Sequence, residues 1–64
     1  MSDMTAKKLF GMICAEYKRT HKPVPRSYVL VMCNGNSKMR DSLIGELIMF
    51  GVITSDITGY IPKV

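Results

Sequence analysis

Residues 22–53 decide the fold and have the sequence KPVPRSYVLVMCNGNSKMRDSLIGELIMFGVI. Two prolines open the stretch and an apolar run follows. Residues 34–37 (Asn-Gly-Asn-Ser) then indicate a turn, and an amphipathic segment follows them. The stretch closes on Gly51, a helix-ending residue, and on Val52-Ile53, which favour strands. This order predicts two short helices joined by a tight turn, with the second helix leading into a β-strand.

The size of the chain limits what it can do. Its 64 residues predict one domain over residues 1–64, which buries only about 60% of the surface that its unfolded chain exposes. Most large apolar side chains are then needed for packing, and little room is left for an enclosed active site. With one histidine and five carboxylates, we expect no enzyme, no cofactor and no small-molecule ligand.

The cysteines and the apolar runs indicate the cellular setting. Cys14 and Cys33 are too few for a disulfide framework. The apolar runs are far shorter than the roughly 20 residues of a membrane span, and the first residues, MSDMTAKK, do not form a signal peptide. We therefore expect a soluble, cytoplasmic protein that does not bind membranes and keeps its thiols reduced.

A metal site is also not expected. His21 has no second histidine, and the two cysteines form no Cys-x-x-Cys pair, whereas structural zinc takes four ligands. Both cysteines lie in apolar runs, so we interpret them as buried core thiols.

The positive charge is uneven along the chain. The net charge is +4, and residues 1–40 carry eight of the nine Lys and Arg residues against Asp3 and Glu16. A basic first part suits a phosphate backbone, an anionic membrane surface or an acidic protein. Simple solubility remains an alternative.

The first helix is predicted over residues 5–20, capped by Asp3 or Thr5, and Pro23 requires it to stop near His21. Gly11 weakens this helix by roughly 1 kcal/mol relative to Ala and is interpreted as marking the close approach of a neighbouring element. One apolar stripe recurs at three- and four-residue spacing: Leu9, Phe10, Ile13, Cys14 and Tyr17.

The second helix is predicted to start at Pro25, where the missing N–H does no harm. The apolar run of residues 28–33, YVLVMC, also fits a β-strand. We favour a helix because the segment starts with Pro-Arg-Ser and ends in Asn-Gly, which suits a left-handed helix end.

The third helix is predicted over residues 37–50, with Asn36 or Ser37 as its cap. Its core-facing stripe is Met39, Leu43, Leu47 and Phe50, flanked by Ile44. Strands at 52–54 and 59–61 follow, separated by turn residues. The predicted fold class is α+β, mainly α, with a three-helix core and a short two-stranded β-hairpin.

This element order, together with residues 43–53 (LIGELIMFGVI), resembles the winged helix-turn-helix family. Leu43, Leu47 and Gly51-Val52-Ile53 match the way in which that family ends its recognition helix and opens its wing. Residues 22–24 (Lys-Pro-Val) resemble the start of the family's second helix, and residues 34–37 lie where it places its turn. The resemblance covers about residues 5–61. It implies a regulator of transcription that binds double-stranded DNA and places helix 37–50 in the major groove.

Seven residues are the candidate DNA contacts. At 100° per residue, Lys38 and Ser42 point away from the apolar stripe and can donate to bases or phosphates, whereas Arg40 lies nearer the buried side and would have to reach out. An ordinary solvated surface is the alternative for Lys38 and Arg40, and capping is the alternative for the start of helix two. The full set is Arg26, Ser27, Asn36, Ser37, Lys38, Arg40 and Ser42.

Two other functions stay open. Asp41 and Glu46 on helix three suit a protein-interaction module, although Asp41 also favours the positive helix N-terminus. A lysine-rich amphipathic first helix suits a membrane-surface peptide. In addition, Met49 with Ile48 and Met32 is a candidate exposed apolar patch, which would indicate a homodimer or a protein partner.

Overall fold

The computed structural model describes residues 4–63 and contains three helices followed by a two-stranded antiparallel hairpin. The elements are α1 (Ala6–Thr20), α2 (Arg26–Met32), α3 (Ser37–Met49), β1 (Ile53–Ser55) and β2 (Tyr60–Pro62). The predicted α+β, mainly α architecture is confirmed. Each strand begins one residue later than predicted.

Helix α1 is capped at both ends by its own sequence. The Oγ1 atom of Thr5 accepts a hydrogen bond from the N–H of Lys8 at 3.1 Å, which satisfies a donor that the helix leaves free. The other predicted cap, Asp3, lies outside the described residues. The helix ends at His21, which adopts the left-handed conformation with φ 56 and donates to the carbonyl of Tyr17 at 2.7 Å.

Residues 28–32 are helical and Cys33 is the C-cap of α2, which decides between the helix and the strand alternatives. Pro25 precedes α2 as its N-cap, and its fixed φ suits that position. After the helix, Asn34 and Gly35 have φ values of 58 and 75, and Gly35 donates to the carbonyl of Leu30 at 2.8 Å. The Asn-Gly pair therefore makes the left-handed helix end that was predicted.

Helix α3 buries Leu43, Ile44 and Leu47, as predicted, but not Phe50. The prediction for Phe50 is wrong, because 67% of this residue is exposed. Phe50 is the C-cap of α3, and the chain then reverses at Gly51, whose φ is 75. After this reversal, Ile53 supplies the next buried side chain.

A third extended segment joins the hairpin. Strands β1 and β2 pair with Ile53 opposite Pro62 and Ser55 opposite Tyr60. On the other side of β2, Val24 and Tyr60 exchange two backbone hydrogen bonds of 2.8 and 2.9 Å. Val24 lies between two prolines, which keep the residue before each of them extended, and it is fully buried.

One core connects all five elements. Cys33 belongs to it, as predicted, whereas Cys14 is only partly buried. Met32 is also a core residue, 9% exposed, so its assignment to a surface patch is wrong. The buried residues are Leu9, Ile13, Val24, Val29, Met32, Cys33, Leu43, Ile44, Leu47, Ile53 and Tyr60.

Gly11 does not mark a close approach, which corrects a third expectation. A Cβ placed on Gly11 would have no atom of another element within 4 Å, and the residue is exposed. The glycine that does meet a neighbour is Gly59, where a Cβ would overlap the backbone of Val24. No local pattern in the sequence indicates this contact, which joins segments far apart in the chain.

Candidate nucleic-acid interface

The outer side of α3 is open to solvent along its length. Lys38, Asp41, Ser42, Gly45 and Met49, which helical geometry places away from the core, are all exposed. Leu43 and Leu47 hold the opposite side in the core. A partner can therefore reach the outer side of α3 without disturbing the packing.

Lys38 and Ser42 lie one turn apart on this side. Within residues 4–63, Lys38 takes part in no ion pair, and neither side chain makes a hydrogen bond. Their ammonium and hydroxyl groups are thus available to acceptors on DNA.

Arg40 is held differently from Lys38. Only 19% of its side chain is exposed, and its Nε and Nη2 atoms donate to Oδ1 of Asp41 at 3.2 and 3.1 Å. Asp41 balances the charge of Arg40 and is not merely placed near the helix N-terminus. Burial raises the pKa of the neighbouring Cys33 thiol, and the charge of Arg40 opposes that increase.

Asn36 and Ser37 lie at the start of α3. The Oδ1 atom of Asn36 accepts from the N–H of Met39 at 3.0 Å, so this oxygen caps the helix. Its amide nitrogen retains two N–H groups, which can donate hydrogen bonds to a phosphate or a base. Ser37 is exposed.

Asn36→Ala is expected to lower the free energy of unfolding by about 1 kcal/mol, because an N–H of α3 loses its partner. Urea denaturation followed by circular dichroism measures this change, with Ser37→Ala as the control. Equal stability of Asn36→Ala and the unaltered protein would show that the cap contributes nothing in solution.

Arg26 connects α2 to the hairpin. Its Nη1 and Nη2 atoms donate to the carbonyls of Ile57 and Asp56, both at 3.3 Å. Its guanidinium lies 5.6 Å from the centre of the Tyr60 ring, within the range of a cation–π interaction. This predicted phosphate anchor therefore also has a structural role, which the sequence pattern did not reveal. Ser27, the next residue, is exposed.

The hairpin turn is short and organised by its own side chains. Asp56 and Gly59 exchange backbone hydrogen bonds of 2.7 and 3.2 Å. The hydroxyl of Thr58 donates to Oδ2 of Asp56 at 2.9 Å. This bond is the main reason that the pKa of Asp56 lies below its ordinary value. Ile57, at the tip, is 91% exposed.

The outer side of α3 carries mixed charge and ends in apolar residues. Asp41 and Glu46 are exposed along with Lys38. Beyond them, Ile48 and Met49 form an exposed apolar end together with Phe50. This apolar end contains the predicted Ile48 and Met49, with Phe50 in place of Met32.

The apolar side of α1 is not available to a membrane. Leu9 and Ile13 have no exposed surface, because α3 and the hairpin cover them. Across residues 4–63, none of the helices combines the length and the apolarity that a bilayer crossing needs. The membrane-surface alternative thus loses the face on which it depended.

Comparisons with known proteins identify no relative. No protein-family model matches the chain, and no curated protein or solved structure is significantly similar to it. The order of three helices and a hairpin is compatible with a winged helix, and none of these comparisons identifies that family.

Proposed function

We propose that the protein binds double-stranded DNA as a winged helix-turn-helix module in the cytoplasm, with α3 in the major groove, and that it regulates transcription. The observation that supports this most is the free outer side of α3, whose other side is fixed in the core by Leu43, Ile44 and Leu47. A rigid helix with one accessible side is the element that enters the groove in this class of fold.

The first half of α3 would make the specific contacts. Lys38 reaches base acceptors or phosphates, and Ser42, one turn later, donates or accepts at a base edge. Gly45 continues the same side, and a Cβ there would have no neighbouring atom within 4 Å. The missing side chain leaves room for a partner to approach the helix backbone.

Phosphate contacts would surround this region. Arg26 uses two of its five N–H donors on the hairpin turn and retains three for a phosphate. Ser27, Asn36 and Ser37 add short hydrogen-bonding side chains at the starts of α2 and α3. Arg40 contributes only if its guanidinium donates to a phosphate while it keeps Asp41, or if it leaves Asp41.

Lys38→Ala is expected to weaken binding to a generic duplex and to reduce the magnitude of the salt slope by about 1, since one phosphate or base contact is lost. Fluorescence anisotropy at several salt concentrations measures both quantities. Lys63→Ala is the matched control, because Lys63 is exposed just after β2 and its replacement lowers the net charge by the same amount. If the two variants behave alike, α3 does not bind DNA through Lys38.

A protein-interaction module is the second candidate function. The exposed acids Asp41 and Glu46, followed by the exposed Ile48, Met49 and Phe50, favour it, because an apolar centre with a charged rim is typical of protein interfaces. A stoichiometric protein retained after nuclease treatment, and lost with Met49→Ser, would support this candidate. Retention that Met49→Ser leaves unchanged would count against it.

A further inference from the structure

Most of the net charge of the protein lies on α1 and the residue pair that follows it. Residues 6–22 hold five Lys or Arg residues against one acid, Glu16, whereas residues 23–63 hold four against three acids. Glu16 is paired with Arg19, with 2.6 Å between Oε2 and Nη2. The strongest attraction for a polyanion therefore comes from α1 and not from α3.

These cations surround one side of the helix. At 100° per residue, Lys7 and Lys18 fall beside Gly11 and Ala15 on the side opposite the buried Leu9 and Ile13. Lys7 and Lys18 are about 16 Å apart along the axis, given 1.5 Å per residue. We define the α1 outer face by its exposed members, with Lys22 just beyond the helix end: Lys7, Lys8, Gly11, Ala15, Lys18 and Arg19.

The centre of the α1 outer face carries very little side-chain volume. Gly11 lies inside a helix, where it costs roughly 1 kcal/mol relative to Ala, yet no other element approaches it within 4 Å. Ala15, one turn later, has the smallest side chain after glycine. A backbone from outside can thus approach the helix axis between the lysines.

The α1 outer face and the outer side of α3 point in different directions. Both helices bury their apolar sides in the same core, through Leu9 and Ile13 in α1 and through Leu43 and Leu47 in α3. Their exposed sides consequently turn away from that core. The α1 outer face and the outer side of α3 are therefore separate surfaces on two helices.

We propose that the α1 outer face is a second nucleic-acid surface, which holds the sugar–phosphate backbone of another duplex segment, so that one molecule bridges two segments. The bridging rests on the proposed function of α3, whereas the α1 surface itself does not. Phosphates repeat at regular intervals along a nucleic acid. Cations that are spread along a helix on either side of Gly11 and Ala15 can therefore neutralise several of them.

The chemistry of the α1 outer face favours nucleic acid over the other polyanions. An anionic membrane would be bound by an exposed apolar side, but Leu9 and Ile13 are in the core. An acidic protein surface would be expected to meet large aromatic or aliphatic anchors. The large side chains with apolar surface near this face are Met12 and, beside Arg19, Tyr28, and each is only 41% exposed.

The experiment uses two short duplexes of one sequence, labelled separately with a fluorescence donor and an acceptor, and the intact protein at low salt. Energy transfer between duplexes reports bridging, and anisotropy reports binding of one duplex. The variants are Lys7→Gln with Lys18→Gln, Gly11→Gln alone, and Lys63→Glu as the charge-matched control, because Lys63 is exposed outside both surfaces and this change also lowers the net charge by two.

The unaltered protein is expected to give energy transfer. The double α1 variant should reduce it to background and lower the magnitude of the salt slope by about 2, one for each lost contact. Gly11→Gln should also reduce energy transfer while the protein stays folded with a higher Tm, since Gln is a better helix former than Gly. If α1 acted only structurally or through long-range electrostatics, Gly11→Gln would not reduce energy transfer while raising the Tm.

Several results would overturn the proposal. One is duplex binding without energy transfer in the unaltered protein, and another is undiminished energy transfer in the double α1 variant. Binding to phosphatidylserine vesicles that needs Lys7 and Lys18, with duplex binding that does not, would assign the face to membranes. Duplex binding that is lost in the α1 variant but unchanged by Lys38→Ala would support the α1 surface and reject α3.

Discussion

Gly59→Ala is expected to lower the free energy of unfolding by on the order of 3 kcal/mol, because overpacking and lost backbone hydrogen bonds act together. A Cβ on Gly59 would overlap the carbonyl oxygen of Val24 and lie 2.6 Å from its carbonyl carbon and 3.1 Å from Cα of Pro25. All three are backbone atoms, which cannot move aside as a flexible side chain can. In a domain of this size, such a loss is a large part of the total stability.

The overlap would separate two segments that the fold joins directly. Val24 and Tyr60 exchange hydrogen bonds of 2.8 and 2.9 Å beside Gly59, and both residues are buried. Moving the hairpin outward to admit a methyl group would leave these buried backbone groups without partners. It would also move the turn carbonyls that Arg26 binds.

Urea denaturation of Gly59→Ala and of Gly11→Ala forms a matched pair. Gly11→Ala makes the same chemical change at an exposed helix position with no neighbouring element within 4 Å, so it should raise stability by up to about 1 kcal/mol. Opposite signs for the two variants are expected. A Gly59→Ala protein with an unchanged urea midpoint would show that the Val24–Tyr60 pairing is not formed in solution.

Local sequence patterns predicted the elements but not how distant segments meet. Caps, prolines and three- and four-residue spacing placed α1, α2 and α3 within about a residue, because these effects act within a turn or two of the chain. The pairing of Val24 with Tyr60 and the contacts of Arg26 with the hairpin turn depend on the assembled fold. Neither has a signature in the neighbouring sequence.

The same distinction applies to the candidate site. Periodicity identified the exposure of Lys38 and Ser42, since a helix with one buried side must expose the other. The contact between Arg40 and Asp41 was not predicted, because adjacent helical residues do not normally face each other. The lysine-rich side of the first helix was also predicted, and the structure adds that the opposite side, with Leu9 and Ile13, is closed within the core.

Leu47→Ala is expected to lower the free energy of unfolding by about 3 kcal/mol, the usual cost of removing a buried leucine side chain. Leu47 is 3% exposed and lies in the core. Phe50 belongs to the same predicted stripe but is 67% exposed, so Phe50→Ala should change stability by less than about 1 kcal/mol. Parallel urea titrations of the two variants measure the difference.

The comparison also tests the second candidate function, because an exposed Phe50 is available to a partner only if the core does not use it. A small effect on stability, with loss of a stoichiometric protein partner, would make Phe50 part of an interface. Equal destabilisation by both variants would mean that the apolar stripe extends to Phe50, as the spacing alone predicted. The apolar end of α3 would then belong to the core, and the remaining exposed side, from Lys38 to Gly45, would be the part of α3 that is left for DNA.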